Sequence, residues 1–219
     1  EQLRSGWGAL LKPLAWQGVL CYGPSRSSKV TFTNPASFLK NWNGLPDPAE
    51  AAPAVIKRYL SAYGPASPET FDAWLSRNSN KKSTLKSWFA SLGEQIVEVR
   101  VKDETRYLLA EHEDELAATR PSRATHLLGA FDQFVLGPGT KDTHMLANKH
   151  RSRVSKAAGW IAPVLTQGGR ITGVWEMDDG YLIVTPFPGE QAPPSKVLED
   201  AAARLAAVHG LVKVTPRTG

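Results

Sequence analysis

Leu3, Trp7, Leu10, Leu11 and Leu14 recur at helical spacing, so one face of the opening segment is apolar. Pro13 predicts a kink or an end to that helix. Gly18 then releases the chain into two short apolar runs, Val19–Tyr22 and Val30–Phe32. The loop between them, GPSRSSK, is small and polar and reads as a hairpin tip carrying Ser25, Arg26 and Lys29. About 75 residues on, the same order returns. Leu85, Trp88, Phe89 and Leu92 stand at i, i+3, i+4 and i+7, a buried helical stripe. Val97, Val99 and Val101 then alternate with Glu98, Arg100 and Lys102, the period of a half-buried strand. Asp103, Glu104 and Thr105 turn the chain, and Arg106–Leu109 returns as a second strand.

Two further helices precede this second hairpin. Asp47-Pro48-Ala49-Glu50 has the composition of a helix start. Val55, Ile56, Tyr59, Leu60 and Tyr63 form its apolar face, Pro53 predicts a later true start, and Gly64-Pro65 ends it. Ser67-Pro68-Glu69 opens the next helix, with Phe71, Trp74 and Leu75 expected inward. Helix, helix, helix, hairpin is the order of a winged helix-turn-helix. Residues 46–119 therefore predict one complete unit, and residues 1–45 the last helix and wing of a partial one.

From Pro121 the texture changes. HLLGAFDQFVLG is apolar around one acid, and NKHRSRV is the densest basic run in the chain. Ile161–Thr166, Arg170–Glu176 and Tyr181–Thr185 predict three strands joined by Gly-containing turns. Ser195 opens a helix to about Val208, with Val197, Leu198, Ala201, Leu205 and Val208 inward, and Val212–Val214 returns toward the sheet. Residues 120–219 are thus expected to form a small β-rich, barrel-like domain. The fold class is α+β.

Charge sharpens the picture only locally. The net charge is +5 and the pI about 9.4, which permits a nucleic-acid partner without requiring one. Residues 1–45 carry five Lys/Arg against one Glu, residues 46–120 carry ten against twelve acids, and residues 121–219 carry eleven against eight. The middle of the chain is not a basic block, so any anion binding there depends on arrangement. With Leu85 inward, Ser83, Lys86 and Ser87 face away from the core, and Arg77, Lys81 and Lys82 cluster at the helix entry with no acid between Arg77 and Lys86. Small residues admit a groove closely and cations hold phosphates. The same residues also suit a solvated face, and winged helices also serve as protein-interaction modules. Lys149, Arg151 and Arg153 form the third basic candidate.

Other chemistries find little support. One cysteine, Cys21, excludes an internal disulfide. His144 and His150 have no third ligand spaced with them, so no metal is expected, and no cofactor is implied. Asp132 reads either as a base or as the anchor of a turn. No apolar run approaches the length of a membrane helix and no signal-peptide pattern opens the chain, which fits a cytoplasmic protein. The first residue is Glu rather than Met, which reads as a trimmed or partial chain.

The block LLGAFDQFVLG, HRSRV, GWIAPVLTQGGRITGVWE resembles the C-terminal part of a bacterial winged-helix family, and CYGPSRSSKVTF and RYLSAYGPASPETFDAWL are similar to it as well. That family includes crosslink-repair DNA glycosylases of the azinomycin-resistance type. The resemblance covers nearly the whole chain. It implies tandem winged helices, a barrel-like domain, double-stranded DNA as partner, and removal of alkylated bases by active members. Their catalytic Gln-x-Gln or Gln-x-Asp is not matched. Gln occurs at positions 2, 17, 95, 133, 167 and 191, and none has Gln or Asp two residues later. Gly137–Asp142 also departs from a more basic stretch associated with the family. The expectation is a DNA-binding chain of a glycosylase-like protein, inactive alone. A winged-helix transcriptional regulator or a protein-interaction module without catalysis is the alternative.

Overall fold

The computed structural model describes residues 11–219; the expected helical positions Leu3, Trp7 and Leu10 lie outside them. The described residues divide into two compact units, one ending at Ala52 and the other beginning at Pro53.

In the first unit, α1 (Leu11–Trp16) runs through Pro13, and Gly18 leaves it with φ +70°. A Cβ there would lie 2.8 Å from Leu45 Cγ, so glycine is required by conformation and by space. β1 (Cys21–Tyr22) pairs antiparallel with β2 (Phe32–Thr33), and the rings of Tyr22 and Phe32 stack at 5.3 Å. Asn34 then caps the single-turn α2 (Pro35–Phe38) by accepting the Ala36 N–H at 2.8 Å.

α3 (Pro48–Tyr63) carries Pro53 within it rather than starting after it. Asp47 Oδ1 accepts the Ala49 N–H at 2.7 Å, which holds the helix entry upstream of the proline. α4 (Pro68–Ser76) starts with a reciprocal capping box between Ser67 and Thr70. α5 (Lys82–Ala90) follows, then β3 (Ile96–Val101) and β4 (Glu104–Leu109), paired antiparallel from Ile96–Leu109 to Val101–Glu104. The helix–helix–helix–hairpin order is as expected. Ile56, Tyr59, Leu60, Phe71, Leu85, Phe89, Leu92, Leu108 and Leu109 are buried. Burying each such side chain contributes about 1.5–3 kcal/mol.

One expected face is different. Trp74 and Leu75 are 40% and 44% exposed. The inward positions of α4 are Phe71 and the carboxylate of Asp72. Trp74 lies at the rim, its ring 5.1 Å from that of Tyr59.

After the short α6 (Glu113–Ala118), one five-stranded sheet organises the rest. β5 (Thr125–Leu128), β6 (Val164–Gln167), β7 (Arg170–Asp178) and β8 (Tyr181–Pro186) form an antiparallel meander, and β9 (Thr215–Thr218) joins β8 in parallel. The sheet curls as a half-barrel with β5 and β9 at its edges. Its layers are filled by two sets of side chains. Val135, Leu146, Val154, Val164, Ile171 and Phe187 form one. Leu165, Leu182, Val184 and Leu198, Ala201, Ala202 and Ala206 of α9 (Ser195–His209) form the other. Val208, expected inward, is exposed.

Helix α3 is joined to the sheet part through α7 (Gln133–Leu136) and the loop after it. Tyr59 Oη donates to the Gly137 carbonyl at 3.1 Å, and Tyr63 Oη to Gln133 Oε1 at 3.2 Å. A Cβ on Gly137 would lie 2.1 Å from Tyr63 Cε1. Only a residue without a side chain permits this approach.

Candidate nucleic-acid interface

The tip of the first hairpin is a tight turn. Arg26 N–H donates to the Lys29 carbonyl at 3.1 Å and Lys29 N–H to the Arg26 carbonyl at 3.0 Å. Ser27 takes φ +57° at its apex. Arg26 and Lys29 are therefore directly opposed cross-strand, and both are exposed, as is Ser25. Like charges so placed repel, and an anion between them relieves the repulsion.

In the second unit, a buried acid builds the turn that leads into α5. Asp72 accepts hydrogen bonds from the Ser76 hydroxyl, from Asn80 N–H at 3.3 Å and from Asn80 Nδ2 at 2.7 Å. The chain between them passes through left-handed Arg77 and Asn78, at φ +59° and +64°. Asp72 was not foreseen as an organiser. Its signal was its place between Phe71 and the polar run Ser76–Asn80. Lys81 stands at the N-cap of α5, where no side chain accepts a hydrogen bond from the first turn. Those N–H groups are left to solvent or an anion. Ser83, Lys86 and Ser87 are exposed on α5, opposite buried Leu85 and Phe89.

Lys82 and Lys86 line a groove of about 570 Å³ together with Leu85, Phe89, Glu98 and Tyr107. Tyr107 Oη donates to Glu98 Oε1 at 3.0 Å. Burial, and then this hydrogen bond, raise the pKa of the phenol. Glu98, one acid capable of general-base chemistry, is thus engaged. Asp132, another, caps α7 by accepting the Phe134 N–H at 2.8 Å, the turn-anchoring role. Glu176 is exposed on β7.

A second cavity, about 760 Å³, lies where α4, the hairpin turn and the 138–143 loop converge. Arg77 and Arg151, remote in sequence, both line it, with Ser67, Thr70, Thr140 and Lys141. Arg151 opens α8 (Arg151–Val154), and its Nε is buried without a hydrogen-bond partner. Its neighbours Lys149 and Arg153 are exposed. His150 turns inward between them and stacks on Phe187 at 4.4 Å. Desolvation, and then Lys149 and Arg153, lower the His150 pKa below its ordinary value.

The floor of this cavity is a charge network not foreseen from sequence. Arg106 donates from Nη1 to Asp142 Oδ2 at 3.0 Å and from Nη2 to Glu104 Oε2 at 2.9 Å. Arg106 and Asp142 are buried, whereas the Glu104 side chain is 58% exposed. Burial works against the guanidinium charge, but the two carboxylates outweigh it and raise its pKa. Arg106 in turn lowers the pKa of Glu104. Asp142 also accepts the His144 N–H at 2.8 Å, and His144 Nε2 stands 3.7 Å from Glu104. Arg106 is thereby committed to structure. Among the described residues, no group of His, Cys, Asp or Glu is placed to hold a metal, and no helix is long and apolar enough to cross a membrane.

A family model described as DNA glycosylase AlkZ-like matches residues 2–208. The chain is 55% identical over 218 residues to an interstrand DNA cross-link repair glycosylase of Streptomyces sahachiroi, covering 99% of this chain and 59% of that protein. The solved structure of the Streptomyces sahachiroi DNA glycosylase AlkZ matches with a TM-score of 0.92 at 54% identity. That match covers 99% of this chain and 59% of that one. The chain thus spans just under three fifths of the length of both relatives. The family expected from LLGAFDQFVLG and its companion motifs is the one that matches.

Proposed function

The chain belongs to the family of AlkZ-like DNA glycosylases, and from that premise we propose that it grips duplex DNA for the excision of alkylated or crosslinked bases. In this reading α3, α4, α5 and the β3–β4 hairpin form a winged helix, with α5 as the helix facing DNA and the earlier hairpin as a wing of a partial unit. The division into residues 1–45, 46–119 and 120–219 belongs to the same proposal. Ser25, Arg26 and Lys29 hold phosphates at the first wing. Lys81, Lys82, Ser83, Lys86 and Ser87 follow the duplex along α5. Arg77 takes a phosphate at the cavity mouth with Arg151, and Lys149 and Arg153 extend the contact along the backbone.

The supporting observation is the cavity shared by Arg77 and Arg151. Two cations from distant segments line it together with hydroxyl groups, and Arg106, which also lines it, is paired with its own carboxylates. Arg77, Lys141 and Arg151 outnumber the one unpaired acid of the lining, Glu69, and this surplus of positive charge suits a phosphate backbone.

Base excision requires a group that positions water and stabilises charge developing at the sugar. Within these residues Glu98 and Asp132 are engaged elsewhere, Glu176 is exposed on β7 and lines neither the groove nor the cavity, and no Gln-x-Gln occurs. We therefore assign this chain the grip and not the excision step. Lys and Ser contacts to phosphate carry no base code, so the grip is sequence-tolerant.

The test is binding to a short labelled duplex at two salt concentrations. With the nine cations named above on phosphates, a fourfold rise in salt lowers affinity by roughly five orders of magnitude. Absence of salt-sensitive binding at micromolar protein overturns the reading. Incubation of the chain with alkylated DNA is expected to leave no abasic sites. Base release by this chain alone contradicts the assignment of grip without excision.

A further inference from the structure

Two aromatic side chains on separate loops meet at the surface of the sheet part. The rings of Phe131 and Trp160 pack edge to face, with centroids 5.0 Å apart at 85°. They nonetheless remain 41% and 51% exposed. A core needs no such pair at its surface, and each ring braces the other.

Both loops are held tightly. Phe131 has φ +58°, a conformation that a bulky side chain adopts only when its surroundings impose it. Asp132 N–H donates to the Gly129 carbonyl at 3.3 Å, and the Asp132 side chain caps the following helix. On the other side, Lys156 N–H donates to the Trp160 carbonyl at 2.8 Å, and Ser155 bridges Ile161. Ala158 and Gly159 inside that loop take φ +55° and +77°. Strained backbone concentrates at functional positions. A braced aromatic on a fixed loop loses little freedom when it binds.

Along the chain the neighbourhood of Trp160 is cationic, with Glu190 the acid that acts on the basic run at His150. From Asp142 to Glu176 the chain carries Lys149, Arg151, Arg153, Lys156 and Arg170 and no acid between those two ends. Lys149, Arg153 and Lys156 are exposed. An apolar ring face on a loop that also carries Lys156, whose backbone bonds Trp160, matches a nucleotide, which offers a π face and a phosphate together. Asp132, the nearest acid in sequence, is engaged in its helix cap.

We propose that Phe131 and Trp160 form a stacking platform for an unpaired nucleobase in bound duplex DNA, with the neighbouring cations holding the flanking phosphates. This rests on the duplex-binding reading above and adds to it a preference for disturbed over fully paired DNA. Enzymes that act on bases in a duplex must take them out of the stack, and a fixed aromatic compensates for the stacking so lost.

The test compares a fully paired duplex with one carrying a single unpaired 2-aminopurine, at one salt concentration. Wild-type chain is expected to bind the second about tenfold more tightly, the size of one base–aromatic stack, and to quench the 2-aminopurine fluorescence. Trp160→Ala loses both the preference and the quenching while keeping its affinity for paired duplex. Trp160→Phe keeps part of each, which separates a stacking role from a folding one. Equal binding of the two duplexes by wild type, or an unchanged preference and quench in Trp160→Ala, overturns the platform and leaves duplex binding standing. No binding to either duplex removes both.

Discussion

The two hairpins of this chain use their cations in opposite ways. In β3–β4 the register places Arg106 on the same strand face as Leu108, and both are buried. Its guanidinium is held between Glu104 and Asp142. In β1–β2 the strands are two residues long, and Arg26 and Lys29 confront each other at an exposed tip. One hairpin has turned its cation into a fastening between the helical part and the 138–143 loop. Among the described residues, no carboxylate pairs with the cations of the other. Counting Lys and Arg in a hairpin therefore says little about anion binding. What matters is whether the register delivers the cation to a carboxylate.

The sharpest way to break the comparison is Arg106→Ala. It leaves Asp142 buried without its partner, and breaking a buried pair in this way costs about 3–5 kcal/mol. The expected outcome is a large fall in the urea midpoint. A change as small as that of a surface substitution contradicts the fastening role. Asp142→Asn is expected to cost less, about 2 kcal/mol, because Glu104 still holds the guanidinium. The difference between the two denaturation midpoints measures how much Glu104 compensates.

Acid titration comes next in size. The folded-state pKa of His150 is lowered by desolvation, so the unfolded chain takes up its proton first. The stability it contributes is present above the ordinary histidine value of 6.5 and is lost as pH falls through the folded value. The lowered pKa of Glu104 acts with the same sign, below the ordinary carboxyl value of 4.5, and weakly because the side chain is exposed. Thermal melts across this range should fall with acidification, and His150→Phe should flatten the upper part of the curve. A flat wild-type profile contradicts both assignments.

The smallest stability effect is expected at the first tip. Arg26→Ala combined with Lys29→Ala should change stability by less than about 0.5 kcal/mol. The same pair should make duplex binding less salt-dependent by about one contact per residue. Loss of stability comparable to Arg106→Ala would erase the contrast between the hairpins.

The periodic elements were legible in the sequence. Alternation at Val97, Val99 and Val101 predicted β3, and the Leu85–Leu92 stripe predicted α5 and its buried face. Periodicity misjudged α4, because Trp74 and Leu75 have helical spacing but the inward place beside Phe71 belongs to Asp72. An acid becomes a core residue through its partners, and these were Ser76 and Asn80 across a turn of unusual dihedrals. Asp142 was less legible still, since its partner Arg106 lies 36 residues away. The sharing of one cavity by Arg77 and Arg151, and the contact of Phe131 with Trp160, likewise depend on long-range packing that spacing does not encode. The inward register of Arg106 beside Leu108 was the one available clue to the charge network.

The central claim is that exposed cations of this chain hold the phosphates of duplex DNA. Its most direct test is the slope of log affinity against log salt for the wild-type chain and for a variant with Arg77, Lys82 and Lys86 replaced by Ala. The account predicts a steep linear decline for wild type and a slope shallower by about three contacts in the variant, with similar losses on unrelated duplex sequences. Identical slopes for the two proteins, or wild-type binding indifferent to salt, would contradict it.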